Sequence, residues 1–145
     1  MSAPVPARAR DVVYAPLLVI VGGVVGTLCR YGLGAAFPAV NGWPVATLLV
    51  NVTGSFTLGL LVERLAAHGP GSTRLRSVRL VAGTGFLGSY TTYSSFAVET
   101  ERLLATGSFG TGIAYALVSA VVGLSACLCG IAAATRSWRR PRSVR

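Results

Sequence analysis

The chain has 145 residues, of which 52% are hydrophobic and only 12% charged, and its thirteen arginines against four carboxylates leave a formal net charge of +9. Soluble domains carry about 25% charged residues, so this composition excludes an ordinary water-facing surface and predicts one domain dissolved in lipid. Lysine is absent, and the arginines lie mainly at the two ends and in one loop; that placement points to lipid headgroups and membrane topology, not to nucleic acid.

Residues 1–11 are rich in Pro, Ala and Arg and read as a disordered, basic N-terminal tail. The first apolar block, 12–37, suits a spanning helix of roughly 20 residues and exceeds a signal-peptide core of about 7–15, so it is expected to be retained. Asn41, Gly42 and Pro44 mark a tight turn before the second block, 43–67. A Gly- and Pro-punctuated loop from His68 to Thr73 leads to the third block, 75–105. The fourth block is 109–135, and a basic tail, 137–145, follows. Each block is long enough to cross a hydrocarbon core of about 30 Å with some tilt. The expected fold is therefore an all-α membrane protein whose channel domain, 12–136, has four transmembrane helices in the cell (plasma) membrane. The arginine-rich tails and middle loop predict both termini in the cytoplasm.

Cys29, Cys127 and Cys129 fall in apolar stretches without a Cys-x-x-Cys pair, and the single histidine, His68, is in a loop, so no Cys/His metal site is expected. Neither a nucleophile–base–acid set nor a Gly-rich nucleotide loop is visible, which argues against an enzyme and against ATP-driven transport.

The informative residues are the polar ones inside apolar blocks. Gly22, Gly26, Arg30 and Gly34 recur every four residues and share a helix face. The glycines allow close helix approach, and a permanent charge such as Arg30 inside a span normally faces a cavity, a partner or a pathway. Thr47, Asn51 and Ser55 repeat by four in the second block, and Tyr115 and Ser119 in the fourth. One such stripe is ordinary interhelical hydrogen bonding; several together suggest a lined polar track. These groups are almost all donors, while Asp11, Glu63, Glu99 and Glu101 are expected at or near span ends. Donors without deep carboxylates suit a small anion better than a cation or proton.

The third block carries the most specific segment, Gly85-Phe86-Leu87-Gly88-Ser89-Tyr90-Thr91-Thr92-Tyr93-Ser94-Ser95-Phe96. Each helical glycine costs roughly 1 kcal/mol against alanine, and the Ser/Thr run competes for backbone hydrogen bonds. A helix broken near Gly88 to Thr92 is predicted, which at membrane depth is tolerated only inside protein or along a cavity. Tyr93 and Phe96 then share a face, and their positive ring edges can meet an anion.

At this point a family resemblance becomes visible. Gly22-Gly23-Val24-Val25-Gly26-Thr27-Leu28-Cys29-Arg30-Tyr31 resembles the GGxxGAxxRY signature of the Fluc (CrcB) fluoride channel family, and Thr47 to Phe56 resembles its TLxVNxxGSF segment. The third-block segment resembles GFxGGxTTFSTF, and Tyr115 with Ser119 matches a Tyr-x-x-x-Ser pair. The resemblance implies an antiparallel dimer of four-helix subunits with two pores. It implies that Asn51, Tyr93 and Phe96 line a pore, with Ser94, Ser95, Thr47, Tyr115 and Ser119 adding hydroxyls or packing and Arg30 near the vestibule. It further implies a structural, untransported Na⁺ on the carbonyls of Gly88 and Thr91 from both subunits. Tyr93 departs from the pattern by standing where the family has phenylalanine; Ser95 for Thr and Ser89 for Gly are milder changes.

The function this reading implies is passive export of fluoride, relieving its toxicity. The competing readings are a proton-coupled small multidrug exporter, which normally needs a glutamate in the first helix, and a non-transporting assembly subunit. Fluoride, membrane lipid and a second chain, either an identical copy or an oppositely oriented paralogue, are the partners expected.

Overall fold

The computed structural model describes residues 8–67 and 72–138. The expectations for 1–7, most of the His68–Thr73 loop and 139–145 lie outside the described residues. Among the described residues the chain is helical apart from short connections: α1 (Arg8–Ala36), α2 (Val45–Ala67), α3 (Thr73–Val78), a π-helical stretch (Arg79–Leu87), α4 (Gly88–Tyr90), α5 (Tyr93–Ala105) and α6 (Phe109–Trp138). Arg8 to Asp11 are helical, a correction to the tail boundary; Ala and Arg are good helix formers and nothing there breaks the helix before the apolar block begins. At the other end, α6 takes in Ser137 and Trp138.

Three helices are long and apolar enough to cross a membrane: Val13–Ala36, Val45–Ala67 and Phe109–Arg136. The exterior agrees with that reading, since Val24, Leu28, Val121 and Leu124 are each more than half exposed. Such a surface suits lipid or a protein partner, not water. The chain is a multi-pass membrane protein.

Between α1 and α2, Asn41 (φ 51°) and Gly42 (φ 82°) both adopt left-handed backbone, and Val40 and Trp43 exchange backbone hydrogen bonds across them. This is the geometry an Asn-Gly pair favours in a two-residue turn. It delivers the chain through Pro44 into α2.

The third block is more irregular than its sequence suggests. Its first part is wound as a π-helix, in which the Gly88 N–H reaches back five residues to the Gly83 carbonyl. α4 then ends at Thr91 and Thr92, which are extended (φ −75°, ψ 157° and φ −146°, ψ 121°), before α5 resumes. The break thus falls inside the expected Gly88–Thr92 window.

Packing follows small residues. A Cβ on Gly22 would overlap the Val81 carbonyl, and one on Gly26 the Phe86 carbonyl, so α1 lies directly against the backbone of the π stretch. Gly59 and Gly130 bring α2 and α6 equally close, against the backbones of Cys127 and Phe56. In the order of these contacts α2 runs parallel to α6, with Trp43 beside Tyr115 and Gly59 beside Cys127. α2 runs antiparallel to α5, with Thr47 meeting Glu99 and Asn51 meeting Thr92.

Candidate functional site

Two hydrogen-bonded groups lie along the broken helix. The first is at the break. Thr92 donates its N–H to Asn51 Oδ1 (2.8 Å), and Asn51 Nδ2 donates to the Thr92 carbonyl (3.0 Å). One side-chain amide thereby satisfies both backbone groups of an extended residue, as a neighbouring strand would. The Thr92 hydroxyl caps α5 by accepting the Ser95 N–H (3.1 Å), and it also meets the hydroxyls of Ser94 (3.2 Å) and Ser95 (3.1 Å). Asn51 therefore commits its oxygen and one of its two amide hydrogens to the break.

The second group lies further along α5. Glu99 accepts from Thr47 Oγ1 on one carboxylate oxygen (2.7 Å) and from the Tyr115 hydroxyl on the other (2.8 Å). Tyr115 is fully buried and Thr47 nearly so. Tyr115 lies about 9 Å along the α6 axis from Phe109, at 1.5 Å per residue, so this carboxylate is held between the helices toward the end of the bundle that carries the α1–α2 turn. Glu99 stands midway along α5, with its carboxylate turned inward onto α2 and α6. The expectation that it lies at or near a span end did not include this inward contact, because both partners belong to other helices. A signal was present: Thr92, Ser95 and Glu99 fall at i, i+3 and i+7 and so share one face of the helix.

Aromatic rings join the two groups. Tyr93 and Phe96 have centroids 6.1 Å apart, and Phe96 and Tyr115 5.5 Å apart, tilted at 45° and 42°. Trp43 meets Tyr115 edge-on at 87°. Tyr93 is 81% exposed in the single chain, so its ring and hydroxyl face outward from the subunit. Ser119, one turn beyond Tyr115, has a buried hydroxyl with no hydrogen-bond partner in the described structure.

Arg30 lines a cavity of about 510 Å³ together with Thr47, Thr92, Ser95 and Glu99. The cavity lies toward the end of the bundle holding the α1–α2 turn, since Phe37, Pro38 and Pro44 also line it. Arg30 thus shares one cavity with members of both groups. A separate cavity of about 220 Å³ is lined by Asn51, Gly54, Ser55, Gly88 and Thr91. Gly54 makes room there, since a Cβ on it would overlap the Thr91 side chain. Asn51 borders this second space while its amide clamps Thr92. Among the described residues no cluster of His, Cys, Asp or Glu could hold a metal ion.

Residues 17–131 match the model of the CrcB-like protein, Camphor Resistance (CrcB) family. The chain is 48% identical over 131 residues to fluoride-specific ion channel FluC 2 of Leifsonia xyli, covering 90% of this chain and 88% of the relative. It is 44% identical over 117 residues to fluoride-specific ion channel FluC of Deinococcus radiodurans, covering 79% of this chain and 90% of that one. It is 41% identical over 120 residues to FluC of the same description from Methanopyrus kandleri, covering 83% and 88%. With the matched stretch covering most of the chain and both polar groups, the chain belongs to the CrcB family.

Proposed function

We propose that this protein is a fluoride channel that lets F⁻ leave the cytoplasm passively and so limits fluoride toxicity. The observation that carries the reading is near-full-length identity of up to 48% to relatives named as fluoride-specific ion channels. The local chemistry supports it. Fluoride is a small, hard anion that must exchange its hydration shell for donors, and the seam offers the remaining Asn51 amide hydrogen, the hydroxyls of Ser94, Ser95, Thr47, Tyr115 and Ser119, the ring edges of Tyr93 and Phe96, and the Arg30 charge. The Glu99 carboxylate occupies the Thr47 and Tyr115 donors, so in this reading an anion passing that level competes with it for the same hydroxyls. Such a pore carries out no covalent chemistry, and the protein is a channel, not an enzyme.

The finer assembly also belongs to this reading. The broken third block, α3 to α5, is the third of four spans, and two chains pair antiparallel, so that the outward-facing Tyr93 meets a partner. The ring hydroxyl that Tyr93 adds to the usual phenylalanine then lies at that junction. A structural Na⁺ sits at the break, on the carbonyls of Gly88 and Thr91. The residues present fit a hard cation, which prefers oxygen ligands: Gly88 and Thr91 border one open cavity, and both carbonyls belong to residues where the helix is interrupted. The ion would join the two interrupted helices and balance their carbonyl dipoles.

The test is fluoride efflux from liposomes holding the purified protein, read with a fluoride electrode. Rapid F⁻ release without a proton gradient, and no comparable Cl⁻ release, is expected from the assembled antiparallel pair, whether its second chain is an identical copy or an oppositely oriented paralogue. An absence of F⁻ release from either pair would remove the channel reading, and release that requires a proton gradient would favour an exporter.

A further inference from the structure

In an unbroken α-helix the N–H of residue i satisfies the carbonyl of residue i−4. The Thr92 N–H would therefore close on Gly88, and the Ser95 N–H on Thr91. Neither does. The Thr92 N–H goes to Asn51 Oδ1 and the Ser95 N–H to the Thr92 hydroxyl. The carbonyl just before them behaves differently: Leu87 accepts both the Thr91 N–H (3.0 Å) and the Thr91 hydroxyl (2.9 Å). Two side chains thus strip the helical donors from Gly88 and Thr91 while a third saturates Leu87. The two stripped residues border the same cavity of about 220 Å³, and Asn51 lines it with them.

We propose that the Asn51 amide and the Thr92 hydroxyl are the positioning residues of the cation site, holding the Gly88 and Thr91 carbonyls open by diverting the N–H groups that would otherwise close them. The inference rests on the Na⁺ reading above and extends it to side chains that do not themselves touch the ion. Asn51 then serves two ions, with its oxygen keeping the cation site open and its free amide hydrogen facing the fluoride route. The fluoride line and the cation are mechanically coupled through one side chain. Thr91 contributes its carbonyl alone, because its hydroxyl is turned back on Leu87.

The test is a Na⁺ titration of the purified full-length protein, starting from a sodium-free N-methylglucamine buffer and read by thermal unfolding and by ²³Na line broadening. Thr92→Val keeps the shape of the side chain and removes the acceptor, so the Ser95 N–H can return to Thr91. Asn51→Leu does the same for Thr92 and Gly88. Each should raise the Na⁺ concentration for half-saturation by about tenfold or more, since recapturing one carbonyl is worth about one net hydrogen bond. Thr92→Ser restores the hydroxyl and should stay within about threefold of the parent on the same scale. Asn51→Asp retains an oxygen for the Thr92 N–H, so it should keep its Na⁺ response while losing F⁻ flux, which a general loss of folding would not produce. If Thr92→Val and Asn51→Leu titrate Na⁺ as the parent does, the proposal is wrong and the cation site stands without it. A parent that shows no Na⁺ response at all, either alone or assembled with an oppositely oriented paralogue, would remove the cation site and this proposal together.

Discussion

Tyr115 is the side chain on which the inner polar group turns. It is fully buried, its ring packs against Trp43 and Phe96, and its hydroxyl supplies one of two donors to Glu99. A hydrogen bond to a charged group contributes about 1.5–3 kcal/mol, and more is lost when the charged partner is left buried without a replacement. Tyr115→Phe keeps the ring and deletes only the donor. We expect it to lower stability by about 1.5–3 kcal/mol, measured by chemical unfolding in detergent. F⁻ efflux should fall by about tenfold or more if the hydroxyl also lowers the barrier to the anion by at least about 1.4 kcal/mol. Efflux equal to the parent's would take the Tyr115 level off the pathway. Thr47 completes the arrangement from α2, 52 residues before Glu99 in sequence, which is why neither residue's role can be read from its own stripe.

At the scale of the helices, the sequence exposed some features and concealed others for definite reasons. The break was legible because Gly88, Thr91 and Thr92 each disfavour continuous helix locally, and no tertiary contact was needed to see it. The glycine face of α1 was legible as a close-approach surface, although its partner was not: Gly22 and Gly26 meet the Val81 and Phe86 carbonyls of the π stretch. The π winding over Arg79–Leu87 leaves no mark in hydrophobicity, because an apolar run reads the same at either pitch. The inward contact of Glu99 was hidden because it is made across helices. Its partners Thr47 and Tyr115 are 52 and 16 residues away, beyond any local pattern. The glycine contact leads to a prediction. Gly26→Val places a branched side chain where a Cβ already overlaps the Phe86 carbonyl, so α1 must move off the third block. Overpacking of this kind costs about 1–3 kcal/mol. The variant should unfold at lower denaturant and yield less folded protein, whereas Gly32→Ala, with nothing near its Cβ position, should match the parent. Equal stability of Gly26→Val and the parent would mean that α1 does not rest on the π stretch.

For the molecule as a whole, the parallel pairing of α2 with α6, and of α1 with the third block, sorts the arginines by end. Arg64 in the last turn of α2, Arg136 in the last turn of α6, and Arg74, Arg76 and Arg79 at the start of the third block gather at the end where α1 begins. Arg8 and Arg10 belong to the first turn of α1 at that same end, and the opposite end carries Arg102 near the α5–α6 turn. Arginines close to span ends decide which side faces the cytoplasm, and the bias here is strong and of one sign. We therefore expect a single insertion, with both termini in the cytoplasm, and a reporter fused after Arg145 should score as cytoplasmic only. An even division between the two sides would defeat the fixed topology. A fixed topology has a consequence for assembly. An antiparallel dimer of identical chains requires half of them to insert the other way, against seven arginines. A partner chain of opposite bias meets the same geometry without that cost, so the expected functional unit is this chain paired with an oppositely oriented paralogue. The measurement is F⁻ efflux from liposomes holding this chain alone, compared with this chain co-expressed with such a paralogue. Weak efflux alone and strong efflux together is the expected result, whereas full efflux from the single chain would show that pairing during assembly overrides the charge bias and that the homodimer is the channel.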